Sequence, residues 1–223
     1  MNYLLLIFAV LLSFAFVFIT KPRNKNHFKL LLAFSGAFLL ALTVFELLPE
    51  VYEKADAKTV GVFVMSGILL QIFLEFFSKG AEHGHVHLDA GKTNLPILLF
   101  VSLSIHSLLE GFPIGRHGTI LYGVLIHKIP IALILSIFLL NSEIKIGKAI
   151  LFITAFSLMT PLGSYIAAHS EFAETYYVPI TALVIGVFLH ISTVILFESS
   201  EGHQFNLRKI VVIILGIGMA YLL

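Results

Sequence analysis

The sequence has no cysteine. That absence excludes disulfide frameworks, thiolate metal sites and cysteine nucleophiles. Charge is scarce too: Asp, Glu, Lys and Arg make up 12% of the 223 residues, where a soluble domain carries about 25%. Neither sign dominates, the formal net charge being +1. With no long basic run, nucleic acid is excluded as a partner, and so is disorder driven by charge. What is present is apolar: 58% of residues are hydrophobic and the mean hydropathy is +0.99. An ordinary cytosolic enzyme is excluded, and a polytopic, all-α membrane protein remains. A span takes about 20 residues, so the chain is expected to form a single transmembrane domain over residues 1–223 with short loops.

Apolar runs fall at about 3–20, 28–49, 60–77, 95–113, 119–140, 147–168, 178–198 and 207–222. They predict eight transmembrane helices and are too long for outer-membrane strands. The first run has no basic residue before it and no small-residue cleavage site after it, so it reads as a retained helix rather than a signal peptide. Lys and Arg set the orientation. With the N-terminus outside, inner loops hold Lys21, Arg23, Lys25, Lys29, Lys79, Lys92, Lys145, Lys148, Arg208 and Lys209, and outer loops only Lys54, Lys58 and Arg116. Both termini are therefore expected outside a cell (inner or plasma) membrane. The outer loops also carry Glu50, Glu53, Asp56, Glu171 and Glu174, a charge that concentrates cations at the mouth.

The segment GAFLLALTV from Gly36 matches GVFLHISTV from Gly186 at five of nine positions. The two lie in spans two and seven, which cross in opposite directions. An inverted 3+2+3 arrangement follows, with spans four and five as the unpaired pair and the substrate site near the midplane.

Ionisable side chains at membrane depth are costly and mark function. His106 and Glu110 in span four are four residues apart, hence on one helical face. His127 and Lys128 lie near the middle of span five. Two imidazoles and a carboxylate suit Zn²⁺, with Fe²⁺ and Mn²⁺ also accommodated. The plain alternative is hydrogen bonding between helices. Pro113 and Pro130 leave the carbonyls of Leu109 and Ile126 without their helical donors, so these are expected to be available as oxygen ligands. The Lys128 ammonium is expected either to pair with Glu110 or to occupy the place of a second metal ion.

In span four HSLLEG, in span five HKIPIA, in span six SLMTPLGSYI and in span two SGAFLLALTVFELLPEVYE, the chain resembles the ZIP (Zrt/Irt-like) family of metal-ion transporters. Glu75 in span three and the HGHVH loop fit the same pattern. The resemblance implies a metal site at His106, Glu110 and His127. It also implies departures: Ser107, Lys128, Ile131 and Thr160 stand where relatives with a binuclear centre carry further ligands. That points to the branch with a single site and Lys beside the span-five His. Transport then means divalent-metal uptake into the cytosol by alternating access, elevator-like, with spans one, four, five and six shifting against two, three, seven and eight. Zinc is the expected ion, and Fe²⁺, Mn²⁺, Co²⁺ and Cd²⁺ share the ligand chemistry. No cofactor and no enzymatic activity are expected. The partners are the metal ion and the bilayer, with a homodimer admissible.

Three further residues are pathway positions: Glu46 toward the outer end of span two, Glu75 toward the inner end of span three, and His190 in span seven. For each the alternative is packing or solvation. His83, His85 and His87, in a cytoplasmic loop over 78–94, are read as an acceptor for arriving metal or as a polar linker. His117, His169, Glu198, Glu201 and His203 are assigned only solvated charge. Two rival classes are an intramembrane metal hydrolase using the same three ligands, against which stands the lack of an HExxH, and a non-transporting sensor built on the HGHVH loop.

Overall fold

The computed structural model describes residues 2–22, 26–78, 96–198 and 207–223. Among these, all regular structure is helical. The expected metal-acceptor residues His83, His85 and His87 lie outside the described residues, as do Glu201, His203 and the side chain of Glu198.

Helix α1 is Asn2–Thr20 and α2 is Asn26–Leu42. A π-helical turn, Thr43–Leu47, carries α2 into α3, Leu48–Lys54. The turn has a local cause. Pro49 has no N–H and its ring crowds the carbonyl four residues back. The helix widens there, and the Leu48 N–H reaches the Thr43 carbonyl five residues back. Asp56 accepts from the N–H groups of Lys58 and Thr59 at 3.0 and 3.1 Å and so caps α4, Ala57–Ser78. The Thr59 side chain and backbone hold the Asp56 carboxyl below the usual carboxylate range. Helix α5 is Ile97–Gly111 and, after a 3₁₀ turn at Pro113–Gly115, α6 is Gly118–Asn141. Then follow α7, Ile146–His169, the short α8, Glu171–Thr175, α9, Tyr177–Glu198, and α10, Leu207–Leu222.

Seven helical stretches among the described residues are long and apolar enough to cross a membrane: Tyr3–Thr20, Phe28–Lys54, Ala57–Ser78, Ile97–Gly115, Gly118–Asn141, Ile146–His169 and Tyr177–Phe197. At the place of the eighth expected span stands α10, a helix of 16 residues. At 1.5 Å per residue it covers about 24 Å, less than the roughly 30 Å of hydrocarbon a full span crosses.

Polarity is distributed for lipid rather than water. Leu12, Leu69, Phe76, Ile97, Leu151 and Phe197 are exposed, whereas His106, Glu110, His127 and Lys128 are buried. The interior of the helix bundle is where ionisable groups can be satisfied.

Contacts give the helix directions. Gly67 of α4 lies against Leu183 and Gly186 of α9, and Glu75 meets His190 further along, so α4 and α9 are parallel. Gly111 lies against Thr160 and Ser164, and Phe100 against Phe152, so α5 and α7 are parallel. Gly123 and Thr119 of α6 meet Leu42 and Glu46 in the opposite order, as Ile195 and Tyr177 of α9 meet Gly36 and Glu50. Both α6 and α9 therefore run antiparallel to α2.

The most extensive pairings are α4 with α9, α10 with α2, α5 with α7 and α1 with α6. Adding α2 with α9 and α1 with α7 links these pairs into one group of α2, α4, α9 and α10 and another of α1, α5, α6 and α7, while the contact of α2 with α6 between the groups is more extensive than either link. The groups meet where α2 packs on α6 and α4 on α5. Each contains a crossing so close that a Cβ has no room. A Cβ on Gly67 would lie 1.9 Å from the Leu183 carbonyl oxygen, and one on Gly163 1.9 Å from that of Leu108. Such small-residue contacts bring membrane helices close enough for backbone packing.

Candidate metal centre

The centre is built where side chains of α5 and α6 reach one another. One helical turn separates His106 from Glu110, which places both on the α5 face toward α6. Helix α6 contributes the adjacent His127 and Lys128. All four side chains are nearly inaccessible, the most exposed being His106 at 4%. His106 Nε2 is 3.0 Å from Glu110 Oε1, and His127 Nε2 is 3.8 Å from the same oxygen. The imidazole planes are 80° apart. One ligand atom from each of His106, Glu110 and His127 lies within 4.8 Å of the others, so the group could hold a metal ion. Zinc bonds of about 2.1 Å place tetrahedral ligand atoms about 3.4 Å apart, close to these spacings.

Lys128 takes the other carboxylate oxygen. Its ammonium donates to Glu110 Oε2 at 2.6 Å and to Ser107 Oγ at 3.1 Å, and it stands 5.0 Å from the centroid of the Phe156 ring. A buried ammonium is tolerated when paired and hydrogen-bonded in this way. Of the two expectations for Lys128, pairing with Glu110 is the one present. The division leaves Oε1 facing the imidazoles.

The other two departure positions are apolar or silent. Ile131 packs with Val187, Ile191 and Leu109. Thr160 is fully buried and its hydroxyl has no hydrogen-bond partner among the described residues. The carbonyl of Leu109, expected to be available, accepts from the Phe112 N–H at 3.1 Å. The helix tightens at its last turn, which supplies a donor one residue earlier than the one Pro113 lacks.

Glu46, Glu75 and His190 are not brought into the three-residue group. Glu46 sits in the π-helical turn and accepts from the Thr119 hydroxyl of α6. Glu75 and His190 form a pair between α4 and α9, Oε2 to Nε2, at 2.7 Å. His117, assigned only solvated charge, is instead half-buried. Its Nε2 lies 2.7 Å from Glu50 Oε2 and 3.0 Å from the Tyr177 hydroxyl, and the Arg116 guanidinium stacks 4.1 Å over the Tyr177 ring. His169 lies against Tyr165 of its own helix.

Reading the sequence alone missed Phe156, Tyr177 and Gln71. Gln71 is fully buried, and neither of its amide atoms has a partner among the described residues. The signal was present: Gln71 is the only carboxamide in the third span.

A family model described as ZIP Zinc transporter matches residues 81–223, more than half of the chain. The zinc transporter ZIP1 of Danio rerio is 39% identical over 93 residues, 38% of this chain and 30% of the relative. Protein zntD of Dictyostelium discoideum is 32% identical over 167 residues, 64% of this chain and 24% of the relative. The zinc transporter ZIP1 of Takifugu rubripes is 30% identical over 149 residues, 60% of this chain and 49% of the relative. The chain thus spans between about a quarter and a half of the length of these relatives.

Proposed function

The chain belongs to the ZIP zinc transporter family, and from that membership we propose that it carries zinc or a similar divalent cation across a membrane, using His106, Glu110 and His127 as its binding site. The family is one of transporters, not enzymes, and the chain is a multi-pass membrane protein. The observation that carries the site assignment is the convergence of these three buried ligand atoms within 4.8 Å. Burial and chemistry agree: two neutral imidazoles and a carboxylate are the oxygen and nitrogen donors a borderline dication prefers.

The site is single in this reading. The ammonium of Lys128 is engaged by Glu110 and Ser107, Ile131 closes the position of a further ligand, and Thr160 completes the departures. Three protein ligands give modest affinity, which lets an ion leave as well as bind. Transport proceeds inward by alternating access within an eight-span, 3+2+3 unit. The group α1, α5, α6 and α7 moves with the ion against α2, α4, α9 and α10. The elevator form comes from the family resemblance, and the four most extensive helix pairings each fall within one of its two groups.

Glu46 guides the ion at the outer mouth, and the Glu75–His190 pair, toward the other end of α4 and α9, guides its release. His83, His85 and His87 in the loop receive it. The protein lies in the cell membrane with both termini outside.

Purified protein in liposomes tests the site. His106→Ala and Glu110→Ala are each expected to reduce ⁶⁵Zn uptake at least tenfold while leaving the protein monodisperse in detergent. Uptake at the parent rate in either variant would remove the site assignment.

A further inference from the structure

One buried polar side chain of α4 is not used by the proposed function. Gln71 presents a carboxamide that is 0% exposed, with neither Nε2 nor Oε1 hydrogen-bonded among the described residues. An unsatisfied buried amide is costly and calls for a cause. A second orphan lies across the helix interface: the Nδ1 of His106 is also buried and without a partner.

Helix register brings the two to one level. Helices α4 and α5 are antiparallel, and Ser102 Oγ donates to the Leu74 carbonyl at 2.9 Å, fixing their contact. His106 lies four residues beyond Ser102, and Gln71 three residues before Leu74. At 1.5 Å per residue these steps are about 6 and 4.5 Å in the same direction, so the residues differ in height by about 1.5 Å. Facing is constrained as well. Gln71 is four residues after Gly67, which meets α9, and three before Leu74, whose carbonyl meets α5. It therefore stands in the seam between α4, α5 and α9. Its Cα–Cβ bond tilts toward the N-terminus of α4, the direction in which α5 runs from Ser102 to His106.

The geometry points to Gln71 as a positioning residue for the metal centre: its carboxamide oxygen accepts the Nδ1–H of His106 when that ring coordinates the ion through Nε2. This rests on the proposed function. His106 turns Nε2 toward Glu110, so the nitrogen left for an outer partner is Nδ1. A coordinating imidazole is held in orientation by an acceptor at its other N–H. The buried hydroxyls of Ser104 and Ser192 also lack partners among the described residues. They can turn to a carbonyl of their own helix, whereas a ring nitrogen cannot.

Co²⁺ titration of the purified chain in detergent, followed by its visible absorption and by Zn²⁺ competition, tests this. Gln71→Leu is expected to weaken binding about 10- to 100-fold and to alter the cobalt spectrum. Gln71→Glu, which keeps an acceptor, is expected to bind close to the parent. In a His106→Asp background, where the ligand has no ring N–H to hold, Gln71→Leu is expected to add no further loss. Parent-like affinity in Gln71→Leu, or an equal loss in the His106→Asp background, would overturn the inference. Should Gln71→Leu not yield folded protein, Gln71→Met replaces it, with the same outcomes deciding. A parent that binds Co²⁺ and a His106→Ala variant that does not would keep the proposed site whichever way Gln71 falls. A parent that binds no Co²⁺ would remove both.

Discussion

At the scale of single residues, the centre turns on how one carboxylate is shared. Glu110 gives Oε2 to the Lys128 ammonium and Oε1 to the imidazoles. Removing one partner of a buried pair leaves an uncompensated charge, at a cost of about 3–5 kcal/mol. A dication at Oε1 can supply the missing positive charge. Lys128→Met is therefore expected to lower the thermal midpoint in metal-depleted detergent solution, and added Zn²⁺ to raise it by more than in the parent. Midpoints that match the parent with and without zinc would show that the ammonium is dispensable to Glu110. The pair itself was legible in the sequence, because His106 and Glu110 share a face at four-residue spacing and Lys128 adjoins His127. His117 was not. A histidine in a short polar link reads as solvated, and only the folded chain brings Glu50 and Tyr177, 67 and 60 residues away, against it. Gln71 was passed over because a lone amide in an apolar run carries no spacing signal.

At the scale of elements, seven of the eight apolar runs correspond to helical stretches long and apolar enough to cross a membrane, because twenty-residue hydrophobic stretches have few other solutions in a bilayer. They could not reveal the π-helical turn at Thr43–Leu47, which depends on where the hydrogen bond displaced by Pro49 goes. Nor could they separate glycines that pack from glycines that do not. Helix α4 holds one of each. A Cβ on Gly61 meets nothing within 4 Å, whereas one on Gly67 falls 1.9 Å from the backbone of α9. Gly61→Ala is expected to be neutral or to stabilise by up to about 1 kcal/mol through helix propensity. Gly67→Ala forces α4 and α9 apart and is expected to cost at least about 1–3 kcal/mol, the usual range for overpacking. Thermal midpoints of the two variants in detergent check the contrast. Equal midpoints would mean that the glycine crossing does not hold these helices together.

At the scale of the whole molecule, the fold places the polar group of His106, Glu110, His127 and Lys128 inside a helix bundle whose outer surface is apolar. The alternation of helix directions agrees with the alternation assumed in counting Lys and Arg, but direction alone does not say which end of the bundle faces the cytosol. That choice rests on ten basic residues against three, a bias that acts during insertion. The absence of cysteine makes it directly testable, since a single introduced thiol is the only one in the chain. Ser170→Cys, between α7 and α8, and Leu223→Cys, at the C-terminal residue, are expected to react with a membrane-impermeant maleimide on intact cells. Glu143→Cys, between α6 and α7, is expected to react only after permeabilisation. The three positions lie on links or ends and are absent from the metal centre, so their modification reads orientation rather than function. The reverse pattern would invert the orientation and make the direction of uptake run from the Glu75–His190 end of the bundle toward the Glu46 end.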